Sequence, residues 1–339
     1  VVWAMRKSPQ AFTVKICSTG QHRHMLDQAL SDFNLTPDIE LSVMRPAQSL
    51  AKLSAQLYDA IDQVLEKEAP DWVMVQGDTT TVMVAGLCAF YRGVKLAHVE
   101  AGLRTYDRLA PFPEEINRRI VTLVADLHFA PTSIAKDNLL REGVSARNIV
   151  VTGNTVVDAL RLMKAALVQS PPPLPVSIEE GIRLGKKIVL VTGHRRENFG
   201  QGLKSLCLAI KELATKHPLA LFVYPVHLNP SVRTPVHKML RSVKGVILTE
   251  PLSYKPFLRL MQHSYLVLTD SGGIQEESAS LGKPVLVTRE VTERPEGVLA
   301  GVSRLVGTSR QRIVTEVSRL LTRQSAYVRM SRKTPEYGN

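Results

Sequence analysis

Short apolar runs alternate with amphipathic stretches along most of the chain. Short apolar runs bounded by turn residues are typical of buried strands, and longer amphipathic stretches are typical of helices. Strands are predicted at 13–18, 72–77, 95–100, 127–131, 148–153, 187–193, 219–226, 245–250, 264–270 and 284–289. Helices are predicted between them at 49–67, 79–91, 114–125 and 202–216. This alternation predicts an α/β fold of parallel sheets with helices on both faces.

The proline-rich stretch QSPPPLPVS at 169–177 interrupts the pattern. Consecutive prolines cannot continue a helix and favour an extended spacer. The sequence therefore predicts two Rossmann-like, doubly wound domains, at 1–168 and 178–339, joined by this linker. Ligands of such domains bind beyond the carboxyl ends of the strands, so a site is expected on the residues just after each strand, in a cleft between the domains.

The composition narrows the class of protein. The 339 residues are 44% hydrophobic and include no apolar run long enough to cross a membrane. The N-terminus lacks the pattern of an export signal, and the three cysteines lie far apart in apolar stretches. Buried thiols and a cytoplasmic protein are therefore expected, and the histidines and cysteines lack the spacing of a metal site.

The net charge of +12 is compatible with nucleic-acid binding. However, the basic residues are spread along the chain, and no aromatic-interleaved RNA-binding motif accompanies them. This distribution favours solvated helix faces and an anionic small-molecule ligand, with no nucleic-acid or membrane partner.

The stretch TDSGGIQEESASLGKPVLV at 269–287 combines two kinds of residue. Ser271, Gly272 and Gly273 stand between an apolar run and a predicted helix, where free N–H groups form an anion cradle. Glu276 and Glu277 follow at once, although carboxylates repel phosphates. Glu276 would favour the helix dipole, but the ligand must combine a phosphate with groups that an acid binds.

Carboxylates also follow the predicted strands of the first domain. Asp78 follows 72–77, where a helix N-cap is the simpler interpretation. Glu100 and Arg104 follow 95–100, and Glu100 has no capping role there. Glu114 suits the start of its helix and is spaced for an ordinary ion pair with Arg118.

The second predicted domain carries a similar group of polar residues. The loop GHRRENFG follows 187–193, and PVHLNP follows the next strand; they contain His194, Arg195, Arg196, Glu197 and His227. Each feature alone is weak. Their coincidence at strand ends predicts chemistry on an anionic substrate.

The ordered motifs GDTTT, HVEAGLRT, PFPEEINRR, VTGNTVVDAL, VTGHRRENFG, YPVHLNP, LTDSGGIQEE, SLGKPVLV and TERPEGV resemble those of the non-hydrolysing UDP-N-acetylglucosamine 2-epimerases. The resemblance runs from about residue 21 to the end. It implies a glycosyltransferase-B-like pair of Rossmann domains, a homodimer, and UDP-N-acetylglucosamine (UDP-GlcNAc) and UDP-N-acetylmannosamine (UDP-ManNAc) as substrates. It implies no cofactor and no metal.

The resemblance also implies site roles. The SGG turn, Ser271 to Gly273, would bind the UDP phosphates, and Glu277 would bind the ribose, whose hydroxyls donate to an ionised acceptor. Arg294 would contact the nucleotide, and Phe257 would pack near the uracil. His194 and Arg118 would neutralise the leaving diphosphate, and the essential carboxylates would be Asp78, Glu100 and Glu114.

The implied reaction eliminates UDP to give 2-acetamidoglucal and then adds UDP back with the C2 proton on the other face. Which carboxylate removes the proton and which returns it is left open. The alternatives are a glycosyltransferase, a hydrolysing epimerase, an epimerase of a UDP-diacetamido sugar, and a UDP-sugar sensor without activity. The sensor and the glycosyltransferase have no need of the three carboxylates.

Some relatives bind a second UDP-GlcNAc as an activator, and Gln21, Arg195 and His227 match residues used there. His24 and Ala47 depart from that pattern, since those relatives carry other polar or basic side chains there. Relatives also begin with a strand and a GTRPE loop that does not occur here. We therefore expect that the chain is a fragment of a longer polypeptide and is poorly active and aggregation-prone by itself.

Overall fold

The computed structural model describes residues 1–20, 29–45, 48–193, 195, 198–334 and 337–338. The protein is mixed α/β, and its strands pair in parallel. The chain divides into two compact units, Val1–Thr155 and Val156–Asn339, called here the first and second unit.

The first unit contains a four-stranded sheet of order β3-β4-β5-β6. These strands are Trp72–Gln76, Lys95–Val99, Leu127–Ala130 and Ile149–Val151. A separate parallel pair joins β1, Cys17–Ser18, to β2, Ile39–Glu40. The helices with described bounds include α1 (Val2–Arg6), α2 (Leu50–Glu68), α3 (Thr80–Tyr91), α4 (Glu114–Val124) and α5 (Ser133–Arg141). Because all four strands of the larger sheet run in parallel, the residues that follow them lie along one edge.

The second unit contains a six-stranded sheet of order β12-β11-β10-β7-β8-β9. In chain order the strands are Lys187–Thr192, Ala220–Pro225, Val246–Thr249, Leu266–Thr269, Val285–Val287 and Ser303–Leu305. The strand order reverses between β7 and β10, which pair directly. Ligands of doubly wound sheets bind at such a switch point, beyond the carboxyl ends of the strands.

Helices connect the strands of the second unit. They are α6 (Thr155–Gln169), which begins at the end of the first unit, α7 (Val176–Arg183), α8 (Gln201–Lys216), α9 (Pro230–Leu240), α10 (Tyr254–His263), α11 (Gly272–Ser280), α12 (Pro295–Leu299), α13 (Arg310–Thr322) and α14 (Gln324–Met330). Consecutive residues of β7 from Ile188 to Val191 are buried, as expected for a strand covered on both faces.

Each unit has its own core. In the first, helix α2 buries Leu53, Leu57, Ile61 and Leu65, one residue per turn, against residues of α3 and of the sheet. In the second, the strands pack against α8, α9 and α13. Full burial of one such side chain contributes about 1.5–3 kcal/mol to stability. This packing holds the helices on the sheets and so fixes the positions of the strand ends.

The predicted alternation of strands and helices is confirmed. Strands and helices occur at the predicted places, with bounds that differ by a few residues. The strand predicted at 13–18 is shorter, Cys17–Ser18. Two short strands, Ile39–Glu40 and Ser303–Leu305, were missed, because two or three residues form no recognisable apolar run.

The proline-rich segment predicted as a linker belongs to the second unit, because the chain divides at Thr155 and Val156. Leu174 is buried in a cluster with Ile178. Arg259 of α10 donates to the carbonyl oxygen of Pro172 at 2.8 Å and forms an ion pair with Glu179. These contacts hold the prolines against the second unit, which sequence composition does not reveal.

Two of the three cysteines are buried, as predicted: burial raises the pKa of Cys88 to about 11 and that of Cys207 to about 12. Cys17 is instead exposed, whereas its neighbour in strand β1, Ser18, is buried. Within the described parts of the chain, no helix is long and apolar enough to cross a membrane.

Two buried histidines, His98 and His128, should make the protein less stable in acid. His98 of β4 lies opposite His128 of β5, and its Nε2 lies 2.8 Å from the carbonyl oxygen of Gly77. Burial lowers the pKa of His98 to about 4 from 6.5, so only the unfolded chain takes up a proton between these values. We expect the free energy of unfolding to decrease from pH 6.5 to pH 4 by up to about 3 kcal/mol through His98 alone.

Urea denaturation of the parent and of His98→Gln between pH 4 and pH 7 measures this effect. The variant keeps a donor for the Gly77 carbonyl and should lose stability less steeply in acid, although His128, whose pKa burial also lowers to about 4, still titrates. Equal pH dependence in the two proteins would contradict the assignment.

Candidate active site

The predicted site residues that the structure describes form two groups, one in each unit. The carboxylate cluster of the first unit comprises Asp78, Glu100, Glu114 and Arg118. The glycine turn of the second unit comprises Ser271, Gly272 and Gly273, with Glu277 and Arg294 beside it. Each group is described by itself.

Asp78 follows β3 and pairs with Arg118. The Asp78 carboxylate accepts a hydrogen bond from Nη2 of Arg118, and Nδ2 of Asn117 donates to the Asp78 carbonyl oxygen at 2.9 Å. Interpreting Asp78 as the N-cap of α3 was wrong, because Thr79 accepts from the Val82 N–H in that role. Asp78 is therefore available for another function, with a buried guanidinium against it.

Glu100 follows β4 in a strained conformation. Its φ is 66°, in the left-handed region that costs a side-chain-bearing residue roughly 1–2 kcal/mol. The Asn154 side chain, at the end of β6, donates from Nδ2 to Glu100 Oε1 at 3.1 Å. Such strain persists only where the surroundings enforce it, and it concentrates at functional sites. The strand-end rule predicted Glu100 but missed Asn154, which lies in the motif NTVVDAL.

Glu114 begins α4, where its charge suits the helix dipole. The predicted pairing of Glu114 with Arg118 is wrong, because Arg118 pairs instead with Asp78 and with Glu115 at 3.4 Å. Glu115 is buried and accepts from the N–H groups of Thr105 and Tyr106 at 3.1 and 3.0 Å. Glu115 therefore holds the loop after β4 and orients Arg118. The sequence did not reveal this role, because Glu114 and Glu115 are adjacent residues of the same type.

Arg104 does not join the carboxylate cluster, although it follows the same strand as Glu100. Its side chain is buried and donates to both carboxylate oxygens of Glu142, at 2.9 and 2.7 Å, and to Thr122 Oγ1 at 2.8 Å. Arg104 thus ties the loop after β4 to the end of α5.

In the second unit, helix α11 begins at Gly272, with Ser271 as the preceding extended residue. The two glycines serve different purposes. A Cβ on Gly272 would lie 2.2 Å from Nη1 of Arg294, so only glycine leaves room for that guanidinium. A Cβ on Gly273 would have nothing within 4 Å among the described residues, so a ligand can approach the first turn of the helix there.

Arg294 is held by two buried carboxylates. Its Nε donates to Glu276, and its Nη1 donates to Glu293 Oε1 at 2.5 Å. Glu293 also accepts from Nη1 of Arg289 at 2.6 Å. Glu276 thus forms a buried ion pair with Arg294. This ion pair is a stronger interaction than the helix-dipole effect suggested by the sequence. The predicted nucleotide contact of Arg294 stays a prediction, and its guanidinium lies against the glycine turn.

Glu277 follows Glu276 in helix α11 and is also buried, but it does not pair with Arg294. The Tyr254 hydroxyl donates to Glu277 Oε1 at 2.7 Å. Burial raises the pKa of Glu277 to about 7, and the hydrogen bond from Tyr254 opposes that rise. Phe257, one turn after Tyr254, packs with Ile274 against the adjoining core.

The loop after β7 is tied to the end of β10. Asp270 is buried, and its Oδ2 accepts from the Arg195 N–H at 2.9 Å and from Asn198 Nδ2 at 3.2 Å. Asn198 also donates to the Thr288 carbonyl oxygen at 3.1 Å.

His227, like Arg195, is predicted for an activator site, and it lies in the loop after β8. Its Nδ1 atom accepts a hydrogen bond from the Asn229 N–H at 3.1 Å.

Several predicted residues lie outside the part of the chain that the structure describes: Gln21, His24, Ala47, His194, Arg196 and Glu197. Within the described residues, no group of three or more histidine, cysteine or acidic side chains is arranged to hold a metal ion.

Known proteins resemble this chain along its whole length. A family model described as UDP-N-acetylglucosamine 2-epimerase matches residues 4–339. The UDP-N-acetylglucosamine 2-epimerase of Escherichia coli strain K12 is 49% identical over 342 residues, which cover 100% of this chain and 90% of that protein.

Solved structures agree with the sequence comparisons. The UDP-GlcNAc 2-epimerase of Neisseria meningitidis bound to UDP-GlcNAc is similar with a TM-score of 0.93 and 44% identity, covering 99% of this chain and 91% of that one. An α,α-trehalose 6-phosphate synthase from Burkholderia multivorans, 13% identical with a TM-score of 0.55 over 84% of this chain and 72% of its own, shares the fold alone. The fold is the glycosyltransferase-B-like two-domain α/β fold, as predicted.

Proposed function

Because the chain belongs to the UDP-N-acetylglucosamine 2-epimerase family, we propose that it inverts C2 of UDP-GlcNAc and so interconverts UDP-GlcNAc and UDP-ManNAc. The carboxylate cluster is the observation that carries this proposal. Glu100 is strained and held by Asn154, and Asp78, at the end of the neighbouring strand, is paired with Arg118. A nucleotide-sugar sensor or a glycosyltransferase has no need of these carboxylates.

The difficulty of the reaction explains why such a cluster is needed. C2 is not next to a carbonyl group, so its proton cannot be removed as from an ordinary carbon acid. Elimination avoids this problem: a base takes the C2 proton, the C–H electrons form the C1–C2 double bond, and the C1–O bond breaks as UDP leaves. Re-addition of UDP at C1, with a proton delivered to the other face of C2, gives the epimer.

The first unit would supply the proton-transfer groups. Glu100 has an oriented carboxylate with Asn154 as a donor, and Asp78 has the Arg118 guanidinium against it. Glu114 belongs to the same helix as Arg118. General acid–base groups typically accelerate a reaction about 10²–10⁴-fold, and a cationic donor near the leaving phosphates stabilises the developing charge. His194 is proposed for that second role from the family resemblance.

The second unit would bind the UDP moiety. The N–H groups at the start of α11 are an anion site that becomes approachable because Gly273 lacks a side chain. Glu277 would accept the ribose hydroxyls, Arg294 would contact the nucleotide and Phe257 would pack near the uracil. Neither the elimination nor the re-addition requires a redox cofactor.

The wider setting is also proposed from the family. We propose a cytoplasmic homodimer that supplies N-acetylmannosamine units for cell-surface polysaccharide, with UDP-GlcNAc and UDP-ManNAc as its ligands. The activator site is proposed only for Arg195 and His227 among the described residues. The Asp270–Arg195 hydrogen bond would then link that site to the end of β10.

Incubation with UDP-GlcNAc in heavy water tests the proposed reaction. We expect both epimers to carry deuterium at C2, because the proton removed from C2 exchanges before it is replaced. The products are separated and measured by NMR and mass spectrometry, without added NAD or metal.

Each alternative gives a different result in this experiment. Epimerisation without solvent deuterium would exclude elimination and re-addition. Free N-acetylmannosamine as the main product would indicate the hydrolysing enzyme. Binding of UDP-GlcNAc with no reaction and no exchange would indicate a sensor.

A further inference from the structure

Tyr254 and Glu277 meet across two helices. They are 23 positions apart, Tyr254 at the start of α10 and Glu277 within α11, and the hydroxyl of one donates to the carboxylate of the other at 2.7 Å. The Glu277 side chain is almost fully buried, with 5% of its surface exposed. A buried carboxylate with an aligned donor has few orientations, so this contact defines where the Glu277 oxygens lie.

The two helices are fixed against each other by apolar packing. Leu260 and Met261 of α10 belong to one buried cluster, to which Phe257 of α10 and Ile274 of α11 also contribute. Ser278 of α11 donates to the Met261 sulfur at 3.5 Å. The Tyr254 hydroxyl is therefore presented to Glu277 by a rigid framework rather than by a chance rotamer.

The neighbouring charged side chains have other partners. Glu276, next to Glu277 on α11, pairs with Arg294, and Arg259 of α10 pairs with Glu179. Burial raises the pKa of Glu277 to about 7, and the Tyr254 hydrogen bond lowers it. The Tyr254 pKa is raised by burial and then by the Glu277 charge, so the hydroxyl remains a donor throughout the neutral range.

A carboxylate has about four lone-pair sites, and the Tyr254 hydroxyl occupies one of them. The remaining sites then have fixed directions toward any hydroxyl pair that binds. We propose that Tyr254 is a positioning residue that orients Glu277 toward the ribose hydroxyls and so makes the protein select ribonucleotides over 2′-deoxyribonucleotides. The inference rests on the ribose-binding role of Glu277 in the proposed function.

The test compares the binding of UDP and 2′-deoxy-UDP by calorimetry across pH 6–9. The proteins are the parent, Tyr254→Phe, Glu277→Gln and, as a matched control, Tyr327→Phe. Tyr327 stacks on Tyr265, and its substitution makes the same chemical change away from Glu277. A site built to bind a hydroxyl discriminates strongly against a ligand that lacks it, so the parent should favour UDP.

In Tyr254→Phe we expect UDP to bind about tenfold more weakly at pH 7 and the preference over 2′-deoxy-UDP to fall by a similar factor, since a hydrogen bond to a charged group is lost. The ribose needs ionised Glu277, so affinity declines as the pH falls through the Glu277 pKa. Loss of the Tyr254 hydrogen bond raises that pKa, and the decline should therefore begin at a higher pH in the variant.

The possible outcomes separate the two ideas. Full preference for UDP in Glu277→Gln would overturn the ribose role itself. Loss of preference in Glu277→Gln, with the preference and pH dependence of Tyr254→Phe unchanged, would overturn only the positioning role. Equal weakening of both nucleotides in Tyr254→Phe, without a shift in the pH dependence, would show that Tyr254 serves folding alone.

Discussion

Replacing Glu100 with glutamine should reduce the turnover of UDP-GlcNAc by about a thousandfold and leave the affinity for UDP nearly unchanged. Glutamine keeps the size of the side chain and an oxygen for the Asn154 amide, but it cannot exchange a proton. Glu100 belongs to the first unit, whereas the glycine turn and Glu277, which are proposed to bind the UDP phosphates and ribose, belong to the second. The change should therefore act on kcat and on C2 deuterium exchange rather than on UDP binding.

Steady-state kinetics and UDP calorimetry measure the two quantities separately. Asp78→Asn should also lower turnover far more than UDP affinity, because the asparagine amide cannot exchange a proton. Glu66→Gln makes the same chemical change at an exposed site of α2 and should retain parental kinetics. A Glu100→Gln protein with turnover within threefold of the parent would remove Glu100 from the proton-transfer role.

The strand-end residues were predictable because topology places them without any knowledge of side-chain contacts. In a parallel sheet, residues such as Asp78 and Glu100 lie at one edge once their strands are recognised. The same rule wrongly included Arg104, because strand topology fixes the position of the backbone but not the direction of a long side chain. Arg104 extends to Glu142, 38 positions away, and this contact depends on the packing of α5.

Local interpretations failed where a neighbouring residue competed for the same role. Asp78 is a good N-cap by type, but Thr79 takes the cap, since the helix begins one residue later than that interpretation requires. Glu114 has the spacing for an ion pair with Arg118, but Glu115 and Asp78 are the carboxylates that Arg118 contacts. Local spacing cannot decide between such neighbours, because the choice depends on which side of the helix faces the sheet.

Contacts between distant segments were beyond sequence reasoning altogether. Asn154 and Glu100 are 54 positions apart, and Tyr254 and Glu277 are 23 apart. In each pair one residue orients the other. Asn154 lies in one of the ordered motifs, but neither the motif nor the residue type indicates that it contacts Glu100, and Tyr254 lies in none of these motifs. Sequence reasoning therefore identified the strand-end carboxylates but not the residues that orient them.

Replacing Gly272 with alanine should destabilise the protein by about 3 kcal/mol and weaken UDP binding strongly. The new methyl group would lie 2.2 Å from Nη1 of Arg294 and 2.9 Å from Oε1 of Glu293. Arg294 would have to leave the buried carboxylates of Glu276 and Glu293, and breaking a buried ion pair costs about 3–5 kcal/mol. Thermal denaturation and UDP calorimetry measure the two effects.

Gly273→Ala is the matched control for this prediction and tests a different property. Gly273 is in the same helix, and no described residue would be met by its Cβ, so alanine should keep or slightly raise the melting temperature. The methyl group would, however, stand over the first turn of α11, where we propose that the UDP phosphates bind, and UDP affinity should fall about tenfold. Two outcomes would contradict this account: a Gly272→Ala protein as stable as the parent, or a Gly273→Ala protein that binds UDP with parental affinity, which would place the phosphates elsewhere.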